Sequence, residues 1–133
     1  MRYKKKYRHR VIYMNGIKKY EVWERYEFKT GKYLAYRTGG PAHIRYYDTG
    51  GISYEEYFRD ENIVRAIEYY ESEFIPLREW YFNSAGEMHR EDGPAIIIYN
   101  EDGSIKGASY YLDGKHYNDI FKWSIDVGCL KGD

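Results

Sequence analysis

Residues Arg90–Gly114, REDGPAIIIYNEDGSIKGASYYLDG, decide the fold. Asp92-Gly93-Pro94 breaks the chain, Ala95–Tyr99 is a β-branched run, and Glu101-Asp102-Gly103 turns it. Ile105–Tyr111 then runs back and Asp113-Gly114 turns the chain again. Strand, tight turn, strand, tight turn is the grammar of an antiparallel meander.

The unit recurs upstream. Ile17-Lys-Lys-Tyr-Glu-Val-Trp23, Ile52-Ser-Tyr-Glu-Glu-Tyr-Phe58, Ile75-Pro-Leu-Arg-Glu-Trp-Tyr81 and Ile105-Lys-Gly-Ala-Ser-Tyr-Tyr111 share a leading Ile and a closing aromatic. Their Ile-to-Ile spacings of 35, 23 and 30 residues mark a short core repeat with loop insertions. Two units are preceded by an arginine and a Gly-Pro-Ala, Arg37-Thr-Gly-Gly-Pro-Ala42 and Arg90-Glu-Asp-Gly-Pro-Ala95. Glycine admits a turn and proline sets the entry angle of the next strand, so the motif is punctuation first. The expected hairpin units are about 10–28, 42–60, 66–83 and 94–114, within a single domain, 1–133. Ile63, Ile67, Tyr70 and Phe74 also fall at helical spacing; against an inserted helix, the repeat register makes Ile67–Tyr70 strand. At the far end, Asn118 is positioned to cap a helix over about 119–127, with Ile120, Phe121 and Ser124 or Ile125 turned inward and Gly128 ending it. The fold class expected is all-β: repeated hairpins in an elongated twisted sheet, closed by a short C-terminal helix.

The pattern E-W-Y-x-N-x-x-G-x-x-H-R-x-D-G-P-A-x-x-x-Y-x-x-D-G, carried by Glu79–Gly103, resembles the variant MORN repeats abundant in proteins of tailed phages and giant viruses. The resemblance extends over roughly 11–117. It is strongest in 79–114, and the third unit has Glu73-Phe74 where a turn glycine stands elsewhere. It implies stacked β-hairpins, and binding and scaffolding rather than chemistry.

Composition agrees with a strand-rich chain. Eighteen Tyr, five Phe and three Trp among 133 residues supply rings that bury one side on a sheet and keep a hydroxyl wet. Cys129 is the single cysteine, which excludes an intramolecular disulfide and points to a reducing compartment, the cytoplasm, of the host cell if the chain is viral. No window approaches the roughly 18 apolar residues of a membrane span. Net charge is zero but unevenly spread: residues 1–37 hold twelve Lys and Arg against three acids, +9, and the remainder is −9. Such a dipolar chain attracts an anionic partner at one end, or a second copy head to tail.

The sharpest candidate site is the basic ribbon Arg2, Lys4, Lys6, Arg8 and Arg10, alternating with Tyr3, Tyr7, Val11 and Tyr13. On a strand those charges lie about 6.6 Å apart, near the phosphate spacing of a nucleic-acid strand. The same pattern also protects a sheet edge. A second candidate is an aromatic and arginine surface of Tyr3, Tyr7, Arg37, Arg65 and Arg90, suited to a nucleotide or small phosphate. The aromatics at repeat positions, Trp23, Tyr57, Trp80 and Tyr110, read as packing. His9, His43, His89 and His116 lack the spacing of metal ligands, and no nucleophile-base arrangement stands out, so no catalytic residue, metal or cofactor is expected. The expectation is a non-enzymatic accessory protein of the phage or virus type that binds and modulates a host protein, with nucleic acid or a phosphate-bearing ligand as the alternative and self-association left open.

Overall fold

The computed structural model describes residues 6–71 and 74–132. Ten strands, β1 (Tyr7–Met14), β2 (Ile17–Glu27), β3 (Lys32–Ala35), β4 (His43–Tyr46), β5 (Ile52–Arg59), β6 (Asn62–Tyr69), β7 (Pro76–Tyr81), β8 (Ile96–Tyr99), β9 (Ile105–Leu112) and β10 (Lys115–Tyr117), precede one helix, α1 (Ile120–Leu130). All pairings are antiparallel, in the order β1-β2-β4-β5-β6-β7-β8-β9-β10, with β3 on β2 beside β4. The all-β reading holds: about 53% of the described residues are strand, in an open sheet with one short C-terminal helix. The segment read two ways is strand β6.

The tight turns explain the connections. Asn15-Gly16 and Asp113-Gly114 both have positive φ, the geometry of two-residue hairpins whose twist matches the strands. Asp60-Glu61 makes the same turn between β5 and β6 with a glutamate at φ +71°.

One row of side chains crosses the sheet from β1 to β9. Val11, Glu21, Ile44, Glu55, Ile67, Glu79, Ile97 and Ala108 are directly opposed from strand to strand, and so share a face. Glu21, Glu55 and Glu79 are buried there among isoleucines. A buried carboxylate is costly unless it is hydrogen-bonded. Each receives a tyrosine hydroxyl from the end of the next strand across the sheet: Tyr46 donates to Glu21 at 2.5 Å, Tyr69 to Glu55, and Tyr99 to Glu79 at 2.6 Å. The true repeat is therefore Ile-x-Tyr answered by Glu-x-aromatic, with Trp23, Tyr57 and Tyr81 two residues beyond the three glutamates.

This register corrects the sequence alignment. In four hairpins one residue near the turn on the later strand is left unpaired: Lys19, Ser53, Leu77 and Lys106. The equivalent positions just before these bulges are Lys18, Ile52, Pro76 and Ile105, not Ile17 and Ile75. A slip of one residue moves a strand's side chains to the other face, so the burial of the glutamates, not the leading isoleucine, sets the register.

The helix also differs from expectation. Asp119, not Asn118, is the N-cap, accepting from the Phe121 N–H at 2.9 Å, and the helix runs through Gly128 to Leu130. Trp123 and Val127 face the sheet and pack on Tyr110, Leu112 and Tyr117. Ile120, Phe121 and Ile125 are instead exposed, Phe121 at 76%. The cause is the short connection from β10, whose Tyr117 hydroxyl holds Asp126 at 2.6 Å and fixes which side turns inward. Among the described residues no helix is long and apolar enough to cross a membrane.

Candidate functional site

The first hairpin carries most of the sequence-predicted site residues that the structure describes. Arg2, Tyr3 and Lys4 lie outside the described residues. Lys6, Arg8 and Arg10 share one face of the β1 edge. Arg8 and Arg10 both donate to one oxygen of Glu24 on β2, at 2.8 and 3.1 Å. The Arg8 guanidinium lies 3.5 Å from the centre of the Tyr33 ring, and the Lys6 ammonium 5.4 Å from that of Tyr26. Glu24 is 12% exposed while the two arginines are 38% and 48% exposed. Burial pushes the Glu24 carboxyl up, but the hydrogen bonds from Arg8 and Arg10 outweigh it and hold its pKa below the ordinary value. Two cations share one anion, so the face keeps a positive excess.

The other face of the same hairpin is aromatic. His9 and Trp23 are opposed across β1 and β2 and stack at 4.4 Å, 5° from parallel. Arg37 lies 3.8 Å from the Trp23 ring, Tyr7 and Tyr36 meet at 5.5 Å, and Arg25 lies over Tyr36 at 4.6 Å. Tyr7, Arg8, His9, Trp23, Glu24, Tyr36, Arg37 and Thr38 line an open cavity of about 500 Å³. His9 Nε2 stands 2.7 Å from Glu21 Oε2, and Lys18 Nζ 2.5 Å from Oε1 of the same carboxylate. Burial raises Glu21, but the bonds from Lys18, Tyr46 and His9 prevail and bring it down to about 2.

Arg37, Arg65 and Arg90 do not form one pocket. Each is a rung of a ladder across the sheet. Arg37 stacks on Trp23 and donates to Pro41 O at 3.0 Å; Arg90 lies 3.9 Å from Tyr81 and donates to Pro94 O at 3.2 Å. Arg65 sits between Tyr57 and Tyr81, at 5.3 and 5.5 Å, and donates twice to Glu79. The two Arg-x-x-Gly-Pro-Ala motifs are thus one device: the guanidinium folds back over the glycine of its own motif and clamps the proline carbonyl, just before the buried Ala42 or Ala95. Only Arg37 also opens onto the cavity.

Sequence reasoning missed His9, Trp23, Glu24 and Tyr36 as members of this site. Their signal was the Asn15-Gly16 turn, which pairs β1 with β2, but a hairpin without a bulge would oppose His9 to Val22. The skipped Lys19 moves the partner on to Trp23. Among the described residues, no three His, Cys, Asp or Glu side chains gather as a metal site. No family model, curated protein or solved structure matches the chain.

Proposed function

We propose that the chain is a non-enzymatic binding module, a phage- or virus-type accessory protein built of MORN-like hairpins, that docks on a host protein through its first hairpin. One observation carries the reading: Tyr7, Arg8, Trp23, Tyr36 and Arg37, far apart in sequence, converge on one open cavity at the basic end of the sheet. A partly exposed surface of aromatics and arginines with a positive excess has the composition of a recognition surface. The buried carboxylates that would interest a chemist elsewhere are engaged by tyrosine hydroxyls within the sheet, which supports structure as their work.

Native mass spectrometry of the protein purified gently from its host cells tests this. The expected result is a co-purifying protein mass, lost when Arg8→Glu and Arg10→Glu are combined. A bound nucleic acid, or a protein mass that survives the double substitution, overturns the assignment of partner or surface. The cavity supports a second reading, a nucleotide or small phosphate meeting Arg37 among Tyr7, Trp23 and Tyr36. For this reading the melting temperature should rise with a nucleotide in a thermal-shift panel, and no rise across the panel removes it.

A further inference from the structure

β1 is an eight-residue strand with a partner on one side only; among the described residues no strand pairs with its other edge. The direction of its unpaired groups follows from the ladder. Tyr26 N–H donates to Lys6 O at 2.8 Å, and antiparallel ladders alternate hydrogen-bonded and non-hydrogen-bonded pairs. Lys6, Arg8 and Arg10 therefore bond to β2, while the N–H and C=O groups of Tyr7, His9 and Val11 point outward. Three consecutive outward pairs offer a template for one more strand.

The side chains say which strand. On one face Arg8 and Arg10 share the single carboxylate of Glu24, so a strand laid beside them gains by placing acids there. On the other face Tyr7, His9 and Val11 present rings and a branched aliphatic, which suit apolar side chains. A second copy of this chain is the wrong occupant: antiparallel pairing of β1 with β1 brings Arg8 and Arg10 of each copy against those of the other. A nucleic-acid strand fits less well too, because the heads of Lys6 and Arg8 lie over Tyr26 and Tyr33 rather than projecting free.

We infer that the open edge of β1 captures an extended segment of the partner protein by strand addition, one in which acidic residues alternate with apolar ones. The inference rests on the first hairpin being a docking surface for protein. It adds the mode and the chemistry of the segment bound.

The probes are two labelled eight-residue peptides, valine alternating with glutamate and valine alternating with lysine, and oligo-dT, read by fluorescence anisotropy on the full chain. The glutamate peptide should bind and the lysine peptide should not. Val11→Pro removes one outward N–H while leaving the bonds to β2, and should weaken the glutamate peptide at least tenfold, with an unchanged circular dichroism spectrum. Arg8→Glu with Arg10→Glu should reverse the preference, a gain of binding that a misfolded protein does not give. Equal binding of both peptides, indifference to Val11→Pro, tighter binding of oligo-dT, or a homodimer by sedimentation overturns the inference. A host protein captured as above that is lost with the arginine substitutions but kept with Val11→Pro overturns strand addition alone and leaves the docking surface standing.

Discussion

Arg37 and Arg90 occupy equivalent places in two repeats, and the residue that permits this is a glycine. A Cβ at Gly40 would lie 2.8 Å from Arg37 Cζ, and one at Gly93 would lie 3.1 Å from Arg90 Cζ. Neither glycine needs its backbone freedom; each is small because a guanidinium rests on it. Gly40→Ala should therefore push Arg37 off Trp23 without disturbing the turn, costing about 1 kcal/mol, the scale of a partly exposed cation–π contact. Urea denaturation checks the cost, and a change in tryptophan emission checks the cause. Glu21 makes a second prediction. Its carboxyl titrates near 2 in the fold against an ordinary 4.5, so the stability it contributes is complete above pH 4.5 and lost as pH falls toward 2. The slope from this group is at most about 1.4 kcal/mol per pH unit, reduced by solvent around Lys18 and His9. Glu21→Gln should flatten that limb of the stability profile while lowering stability at neutral pH. The shared motif around Arg37 and Arg90 was legible in the sequence. That Arg37, Arg65 and Arg90 each rest on an aromatic ring was not, because the ring each one meets is set by the folded sheet.

At the scale of elements, strands were readable and register was not. Turn residues and β-branched runs, which are local signals, mark most of the strands, though not the short β3 and β10. A bulge is specified by which residue a buried carboxylate and its tyrosine partner select, and that is decided across the sheet. The helix repeats the lesson: its existence followed from local propensity, but its inward face was set by Trp123 and Val127 meeting Tyr110, Leu112 and Tyr117. One turn escaped notice because it lacks the residue that announces it. Glu61 holds φ +71° at the second position of a two-residue turn where glycine is strain-free. Glu61→Gly should raise the melting temperature by roughly 2–4 °C, read by calorimetry, with no change in strand content. A fall instead would mean that the glutamate side chain contributes more at that turn than its backbone costs.

For the whole molecule, the decisive property is that each strand pairs only with its neighbours along an open sheet. Stability then propagates from unit to unit rather than from one central core. The ends are unequal. At one end α1 covers β9 and β10 and completes the cluster of Leu112, Tyr117 and Val127; at the other, no strand among the described residues pairs with the outer edge of β1. The middle of the sheet holds the completed carboxylate row, with Glu55 and Glu79 each flanked by isoleucines on both sides. Native-state hydrogen exchange should accordingly be graded: slowest in β5, β6 and β7, intermediate under the helix, and at least about tenfold faster in β1 and β3. A sheet that opened only as a whole would exchange all its interior amides at one rate and would remove the repeat account of its stability. If the gradient holds, the end that opens most readily is also the end that carries the cavity, the uncompensated cations and the unpaired edge. A docking strand would then stabilise the weakest part of the sheet. The amides of β1 should be the ones whose protection rises most when the glutamate-containing peptide is added.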